Sequence, residues 1–197
     1  MRFLPGSAAW LAALCLSRVL GATWFVAYSA VLPLTQAAWS LSGKEAGLIQ
    51  SAFHLGYLTS LFIVGFLSDH FGAKRTYVLT GIAAWASPFL FVIFADGFWS
   101  AYWLHLLVGL CSGGTYTPVL ALINQHVAQA RRGRAMGFLI AGSSAGYAVC
   151  LVVAGLALTF TDWRGALAVV AALPAIAWLF ALFSMHQTLV QTAESTD

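Results

Sequence analysis

Six long apolar runs, separated by short polar segments, constrain this chain more than any other feature of its sequence. An α-helix needs about 20 apolar residues to cross the hydrocarbon core of a bilayer, and a spanning helix satisfies its backbone polar groups internally. The runs lie at about residues 8–32, 46–67, 76–95, 99–125, 136–159 and 165–186. The sequence therefore predicts an all-α membrane protein with six transmembrane helices and a short, unstructured polar tail at 187–197.

The composition excludes several classes of protein. Hydrophobic residues make up 61% of the chain and charged residues only 8%, whereas a soluble domain has about 25% charged residues. The three cysteines fall within apolar runs and lack the spacing of metal ligands. No nucleophile, base and orienting group occur together as in an enzyme. We therefore expect a protein that resides in the lipid bilayer, with no catalytic activity, no cofactor and no nucleic-acid partner.

The basic residues of the loops predict the orientation of the chain. When successive loops are assigned to alternate sides, six basic residues fall on one side and two on the other. The larger group is Arg2, Lys74, Arg75, Arg131, Arg132 and Arg134, and the smaller group is Lys44 and Arg164. Because basic flanks are retained in the cytoplasm, both termini are expected there. The predicted location is a bacterial inner (plasma) membrane, crossed several times.

The segment between the second and third runs, residues 65–75, reads GFLSDHFGAKR. It resembles the signature loop of the major facilitator superfamily, G-x-x-x-D-[R/K]-x-G-x-[R/K]-[R/K], which joins helices two and three. The match comprises the glycines Gly65 and Gly72, the acid Asp69 and the basic pair Lys74 and Arg75. It departs only at position 70, where this chain has His.

The resemblance continues along the chain with less specific matches, such as Pro33 near the outer end of the first run and RGRAMG at 132–137. It departs in the fourth run, where the family pattern R-x-x-x-G is replaced by His105-Leu-Leu-Val-Gly109. The resemblance implies the amino-terminal half of a permease, with six helices arranged as two inverted three-helix repeats. It also implies that spans one and four line a central cavity.

The signature loop is also interpretable from its residues alone. Gly72 permits a tight turn, and Lys74 and Arg75 anchor the third span at an anionic cytoplasmic surface. An acid at the membrane edge favours a basic partner, and Arg134 lies on the same predicted side as Asp69. The predicted conformational latch comprises Gly65, Asp69, Gly72, Lys74, Arg75 and Arg134. The alternative is a turn with topology determinants and a solvated acid.

Arg18 is the only charged residue inside the first run and lies about 15 Å from its start, at about 1.5 Å per residue. At helical spacing it shares a face with Phe25 and Ser29. An arginine at this depth faces water or a partner, or else extends its long side chain to the interface. If it is functional, its planar guanidinium suits a carboxylate or another oxyanion. Arg18 and Ser29 are therefore candidates for contact with a solute.

Helical spacing also predicts a polar stripe on span four, formed by His105, Gly109, Ser112 and Tyr116. We interpret His105, Ser112 and Tyr116 as candidates for a solute or proton pathway. His54 in span two projects with Gly65 and is able to titrate near neutral pH. The alternative for His54 is a histidine satisfied by a hydrogen bond to a neighbouring helix.

These features together favour secondary active transport of a small solute, coupled to protons as in a symporter and operating by alternating access. Arg18 favours an anion as the solute. A twelve-helix permease needs about 240 residues for its helices alone, and this chain has 197. Arg18 would face lipid unless a second bundle covered it, so we expect a homodimer or a separate six-helix partner. The alternatives are a non-transporting membrane scaffold and a fragment of a full-length permease.

Overall fold

The computed structural model describes residues 5–194, and side chains are described for residues 5–182. This part of the chain contains eight α-helices: α1 Ala8–Gly21, α2 Ala27–Trp39, α3 Gly43–Phe71, α4 Ala73–Phe94, α5 Phe98–Ser112, α6 Thr117–His126, α7 Gln129–Ala157 and α8 Trp163–Glu194. Short 3₁₀ turns at Thr23–Val26 and Gly113–Thr115 join α1 to α2 and α5 to α6. The helices make six apolar spans long enough to cross a membrane, which confirms the predicted all-α membrane fold.

Several helix boundaries differ from the predicted ones. The first span continues to Trp39, and the fifth begins at Gln129, so Arg131, Arg132 and Arg134 lie in the first turns of α7 instead of in a loop. Long arginine side chains reach the polar interface from such positions, so counting apolar residues alone places the start of the helix too late. Helix α8 continues to Glu194 through most of the tail predicted at 187–197, and residues 195–197 lie outside the described part.

Two of the connections have residues that fix their backbone geometry. Gly72 has φ +83° at the junction of α3 and α4, a conformation that is strained for residues with a side chain. Ser42 caps α3 in a reciprocal arrangement with Glu45, in which each side chain binds the backbone N–H of the other residue. The sharp turn in the signature loop therefore depends on the glycine at position 72.

Glycines bring the central spans into close contact. A Cβ atom at Gly56 in span two would overlap the Leu106 carbonyl, and one at Gly109 in span four would overlap the Phe53 carbonyl. Gly146 in span five packs in the same way on the carbonyl of Val19 in span one. Small residues at such crossings permit the backbone proximity on which helix association in lipid depends. Spans two and four, and spans one and five, are thus packed pairs within one bundle.

At the predicted outer end of the bundle, Arg164 at the start of α8 joins two spans by hydrogen bonds. Its guanidinium donates hydrogen bonds to the carbonyls of Val92 (2.7 Å) and Ala95 (2.6 Å) at the end of α4. The ring of Trp163 lies 4.5 Å from the guanidinium and 5.1 Å from the ring of Trp39. Since the last carbonyls of a helix have no partner within it, Arg164 caps span three and ties it to span six.

Candidate functional site

Arg18 lies near the centre of the bundle, in the last turn of α1, and is only 5% exposed. The acidic residues in the part of the chain with described side chains all lie at helix ends or in loops: Glu45, Asp69, Asp96 and Asp162. Arg18 is therefore a buried positive charge without a carboxylate at its depth. Other helices of this chain bury it, so the expectation that Arg18 would face lipid without a second bundle is wrong.

Three other spans contact the Arg18 guanidinium. Its Nε donates a hydrogen bond to Ser143 Oγ of span five at 2.7 Å, and its Cζ lies 4.8 Å from the ring of Tyr116 in span four. Tyr57 of span two interacts electrostatically with it. Phe25, beyond the 3₁₀ turn of span one, presents its ring at 5.6 Å. Spans one, two, four and five thus converge on a single charge.

Aromatic rings form the walls around this charge. The ring of Phe25 contacts Tyr57 at 4.7 Å and Tyr147 at 5.8 Å between centroids, and Tyr57, Tyr116 and Tyr147 are half-buried. We refer to Arg18, Phe25, Tyr57, Tyr116, Ser143 and Tyr147 as the Arg18 cluster. Such a combination of apolar walls with a few convergent polar groups is typical of small-molecule sites. The sequence signal for Tyr57 and Tyr147, a phenol within an apolar run, was too weak to separate them from ordinary packing.

The polar stripe predicted on span four is a packing face in the structure. His105 is 0% exposed and lies among the rings of Tyr28, Phe53 and Phe91, at 5.0 to 5.4 Å between centroids. Its Nδ1 lies 3.0 Å from the Ile49 carbonyl of span two. The stripe is buried because its small residues allow span two to approach closely. His105 is therefore placed in the core and not beside Arg18.

The other two candidates on span four differ from each other. Ser112 donates its hydroxyl to the Val108 carbonyl at 2.7 Å and is buried at the end of α5. Tyr116 follows the 3₁₀ turn at Gly113–Thr115, where three residues complete a turn instead of 3.6. The 3₁₀ turn changes the direction in which later residues project, which regular α-helical spacing does not predict. Tyr116 therefore lies beside Arg18, whereas Ser112 does not share its face.

Ser29 and His54 meet through a residue that the sequence analysis did not select, Gln50. Ser29 donates to Gln50 Oε1 at 3.1 Å, and Gln50 Nε2 donates to the Phe25 carbonyl at 3.3 Å. The His54 ring lies 3.4 Å from Gln50 Nε2 and 3.0 Å from the Gln50 carbonyl. Ser29 and His54 are exposed. These three residues, the Gln50 network, form a polar surface on spans one and two, and His54 bonds within its own helix instead of to a neighbouring one.

The predicted latch residues lie at the opposite end of the bundle from Arg164. Asp69 and Arg134 are both exposed, and within the described residues no hydrogen bond or ion pair joins them in this structure. Arg75 and Gly72 are exposed, whereas Lys74 and Gly65 are half-exposed. Arg134 lines a shallow groove with Arg131 and Phe138. The structure thus places Asp69 and Arg134 at the same end without pairing them.

Comparison with known proteins gives one family. The model of the Major Facilitator Superfamily matches residues 11–196. The hexuronate transporter of Bacillus subtilis is 28% identical over 70% of this chain and 32% of its own length. A probable chloroplastic anion transporter of Arabidopsis thaliana is 31% identical over 68% of this chain and 26% of its own length.

A third relative is a probable sulfoacetate transporter of Cupriavidus necator, which is 25% identical over 81% of this chain. The match covers 39% of that protein's length. The chain therefore spans well under half the length of each of these three relatives. All three are named as transporters and none as an enzyme.

Proposed function

This chain belongs to the major facilitator superfamily, and from that premise we propose that it takes part in moving a small organic anion across a membrane. The observation that carries the proposal is the buried Arg18, held without an acidic partner at its depth. Ionisable groups inside a membrane mark solute or ion pathways more often than structural features. Two relatives are named for hexuronate and sulfoacetate, and both of these solutes carry a carboxylate.

The chemistry of the Arg18 cluster suits a carboxylate. A guanidinium donates strong, charge-assisted hydrogen bonds to a carboxylate. The Nε of Arg18 is already used on Ser143, so we assign the carboxylate to Nη2. The interaction is stronger in a site shielded from water. The half-buried hydroxyl groups of Tyr57, Tyr116 and Tyr147 provide further donors for the polar groups of an organic acid. In this proposal Arg18 selects the charge and the tyrosines orient the rest of the solute.

Alternating access with a second six-helix half is the proposed mechanism. Two observations support a second half. This chain matches only 26 to 39% of the length of its relatives, and the exposed Gln50 network is polar although it lies within apolar spans. Polar side chains at membrane depth face a cavity or a partner in preference to lipid. The second half is proposed to be another copy of this chain or a separate bundle, and the alternative is the remainder of a longer chain.

Proton coupling and the latch complete the proposal. His54 is exposed and lies in span two away from both of its ends, and histidine is the side-chain type best suited to carry protons at physiological pH, as a symporter requires. Asp69 and Arg134 are proposed to pair in another state of the cycle at the cytoplasmic end of the bundle. The proposed setting is a bacterial inner membrane, and the basic residues at the ends of the spans support an orientation with both termini in the cytoplasm.

Binding of carboxylates to the purified protein tests the proposed site, since all members of the Arg18 cluster belong to this chain. Glucuronate is the probe, and glucose is its neutral counterpart. We expect glucuronate but not glucose to raise the unfolding temperature, and Arg18→Gln to abolish the effect. The control is Arg131→Gln, which removes an exposed arginine at the end of α7. Equal effects of glucose and glucuronate, or an unchanged response of the Arg18 variant, would contradict the proposal.

A further inference from the structure

A small cavity lies beside Arg18, and Ser143 is not among the residues that line it. It is enclosed by spans one, three, four and six, and spans two and five do not contribute to it. The polar residues that line it are Ser17, Arg18, Tyr77, Trp85, Thr115 and Trp178. It has room for about one water-sized group. An organic acid such as a sugar acid is too large for it, so it is distinct from the proposed solute site.

The cavity has more buried hydrogen-bond donors than acceptors to pair with them. Three buried N–H donors, Arg18 Nη1, Trp85 Nε1 and Trp178 Nε1, have no acceptor among the described residues. The hydroxyl protons of Ser17 and Thr115 are committed to backbone carbonyls, at 2.9 Å and 2.8 Å. A buried donor without an acceptor is costly, and buried polar groups in proteins are almost always paired. Three such donors around one cavity therefore point to an acceptor that binds there.

The packing of Trp178 supports this interpretation. A Cβ atom at position 81 would overlap Cδ1 and Nε1 of the Trp178 indole, so only a glycine allows the N–H edge of this ring to reach span three. The rings of Trp85 and Trp178 lie 6.3 Å apart between centroids. Gly81 and Trp85 are four residues apart on α4 and share a face of that helix. Span three thus contributes the indole N–H of Trp85 to the cavity, and its Gly81 leaves room for the indole N–H of Trp178.

Charge decides what kind of acceptor fits. A water molecule has two lone pairs and carries no charge, whereas a halide ion accepts hydrogen bonds from several directions. Arg18 is 95% buried, and no acidic residue with a described side chain lies at its depth. Removing a lone charge from water is expensive unless an opposite charge accompanies it. A small anion would supply the missing acceptor and the missing charge together.

We propose that the cavity lined by Arg18, Trp85 and Trp178 binds a small inorganic anion of halide size, such as chloride. The anion neutralises Arg18 and accepts a hydrogen bond from its Nη1, while Ser143 accepts one from its Nε. The site shares Arg18 with the solute site, but spans three and six line it in place of spans two and five. It does not rest on the proposed transport activity, because the anion binds whether or not the protein transports a solute.

Bromide provides a direct test because it replaces chloride and has an anomalous X-ray signal. Crystals of the purified protein soaked in bromide are expected to show an anomalous peak between Arg18 and the two indole N–H groups. A peak there supports the proposal. A well-ordered water without anomalous signal at the same place would overturn it, and this measurement requires no variant that has to fold.

Unfolding temperatures in sodium chloride and in sodium methanesulfonate of equal ionic strength give an independent test in solution, because methanesulfonate is larger than a halide and carries no carboxylate. We expect chloride to stabilise the wild-type protein, and Trp85→Phe and Trp178→Phe each to raise the apparent Kd for chloride by about tenfold, because each removes one charge-assisted N–H donor but keeps an aromatic ring. The control is Trp103→Phe, which changes an exposed tryptophan and should leave the Kd unchanged. Equal stability in the two salts, or tryptophan variants that respond like the wild type, would overturn the proposal.

The outcomes also separate this site from the solute site. If the wild-type protein binds chloride but not glucuronate, the proposed function fails and the chloride site stands. If the wild-type protein binds glucuronate but chloride does not raise its unfolding temperature, the chloride site fails and the proposed function stands.

Discussion

The guanidinium of Arg18 is held by contacts from three other spans, so its position is set before any solute arrives. Ser143 accepts from its Nε, and the Tyr116 and Phe25 rings cover its plane. A binding group that is already ordered loses little conformational entropy when a ligand binds. This arrangement also keeps a long, flexible side chain from reaching the membrane surface, which was the alternative explanation for an arginine in this position.

The hydroxyl of Ser143 provides a test of this positioning. In Ser143→Ala the Nε of Arg18 loses its acceptor, and we expect the affinity for glucuronate to fall about tenfold, as for the loss of a hydrogen bond to a charged group. The control is Ser144→Ala, because Ser144 is the neighbouring residue on α7 but is exposed. Isothermal titration of the purified proteins measures both affinities. A Ser143 variant with wild-type affinity would show that the hydrogen bond does not position Arg18 for the solute.

Residues of the candidate site were recognisable from the sequence only where their charge is unfavourable inside a membrane. Arg18 is recognisable as a charge within an apolar run, but Ser143 and Tyr57 are not, because serine and tyrosine are common in packed membrane helices. His105 is a different case: the sequence predicts a functional group because a histidine is unusual in such a run, and the structure shows only that its side chain is buried. The structure surrounds it with aromatic rings, and no pattern of a single helix reveals what lies on the facing helix.

At the scale of elements, the decisive contacts are made by glycines that allow spans two and four to cross closely. Gly56 lies against the carbonyl of Leu106, and Gly109 lies against the carbonyl of Phe53. The contact is reciprocal, so neither helix is able to move away without losing both. This crossing explains why the polar stripe of span four is buried, and it identifies glycine spacing as the better indicator of a contact face.

Alanine substitutions distinguish glycines that pack from glycines that do not. We expect Gly109→Ala to destabilise the protein by about 1–3 kcal/mol, because the added methyl group overlaps a backbone carbonyl. Gly137→Ala is the control: Gly137 is in helix α7, with open space around its Cβ position, and alanine there should stabilise the helix by about 0.5–1 kcal/mol. Reversible unfolding in mixed micelles measures the free energy. The two substitutions should have effects of opposite sign, and effects of the same sign would contradict the packing argument.

Arg164 makes a comparable link between spans three and six. Arg164→Gln removes the two short hydrogen bonds to the carbonyls of Val92 and Ala95, which leaves helix-terminal acceptors without their partner. We expect a loss of about 1.5–3 kcal/mol in the free energy of unfolding, as for other hydrogen bonds to charged groups. The same unfolding assay applies, with Arg131→Gln as the exposed control. If both variants unfold alike, the cap contributes no stability.

For the whole molecule, the apolar runs and the signature loop were sufficient to predict a six-span bundle of this superfamily. Each span is recognisable from its length and composition, because a helix that crosses a bilayer needs about 20 apolar residues, and the loop at 65–75 is long enough to be specific. The ends of the spans were less predictable, since α7 extends through a cluster of arginines. The argument that Arg18 needs a second bundle to cover it also failed, because spans one, two, four and five of this chain already enclose it.

The remaining reason to expect a second half is the surface of spans one and two, where the Gln50 network is exposed at membrane depth. If another copy of the chain covers this surface, a cysteine placed at His54 should be crosslinked between copies in membranes by a short bifunctional reagent. Background thiols are removed first by replacing Cys15, Cys111 and Cys150. The control is a cysteine at Leu79, an exposed position on span three, which should face lipid and remain uncrosslinked. A 21.0 kDa chain that shows no crosslink at either position and elutes from detergent as a strict monomer would contradict the two-half arrangement, whereas a crosslink to a different chain would identify a separate partner half.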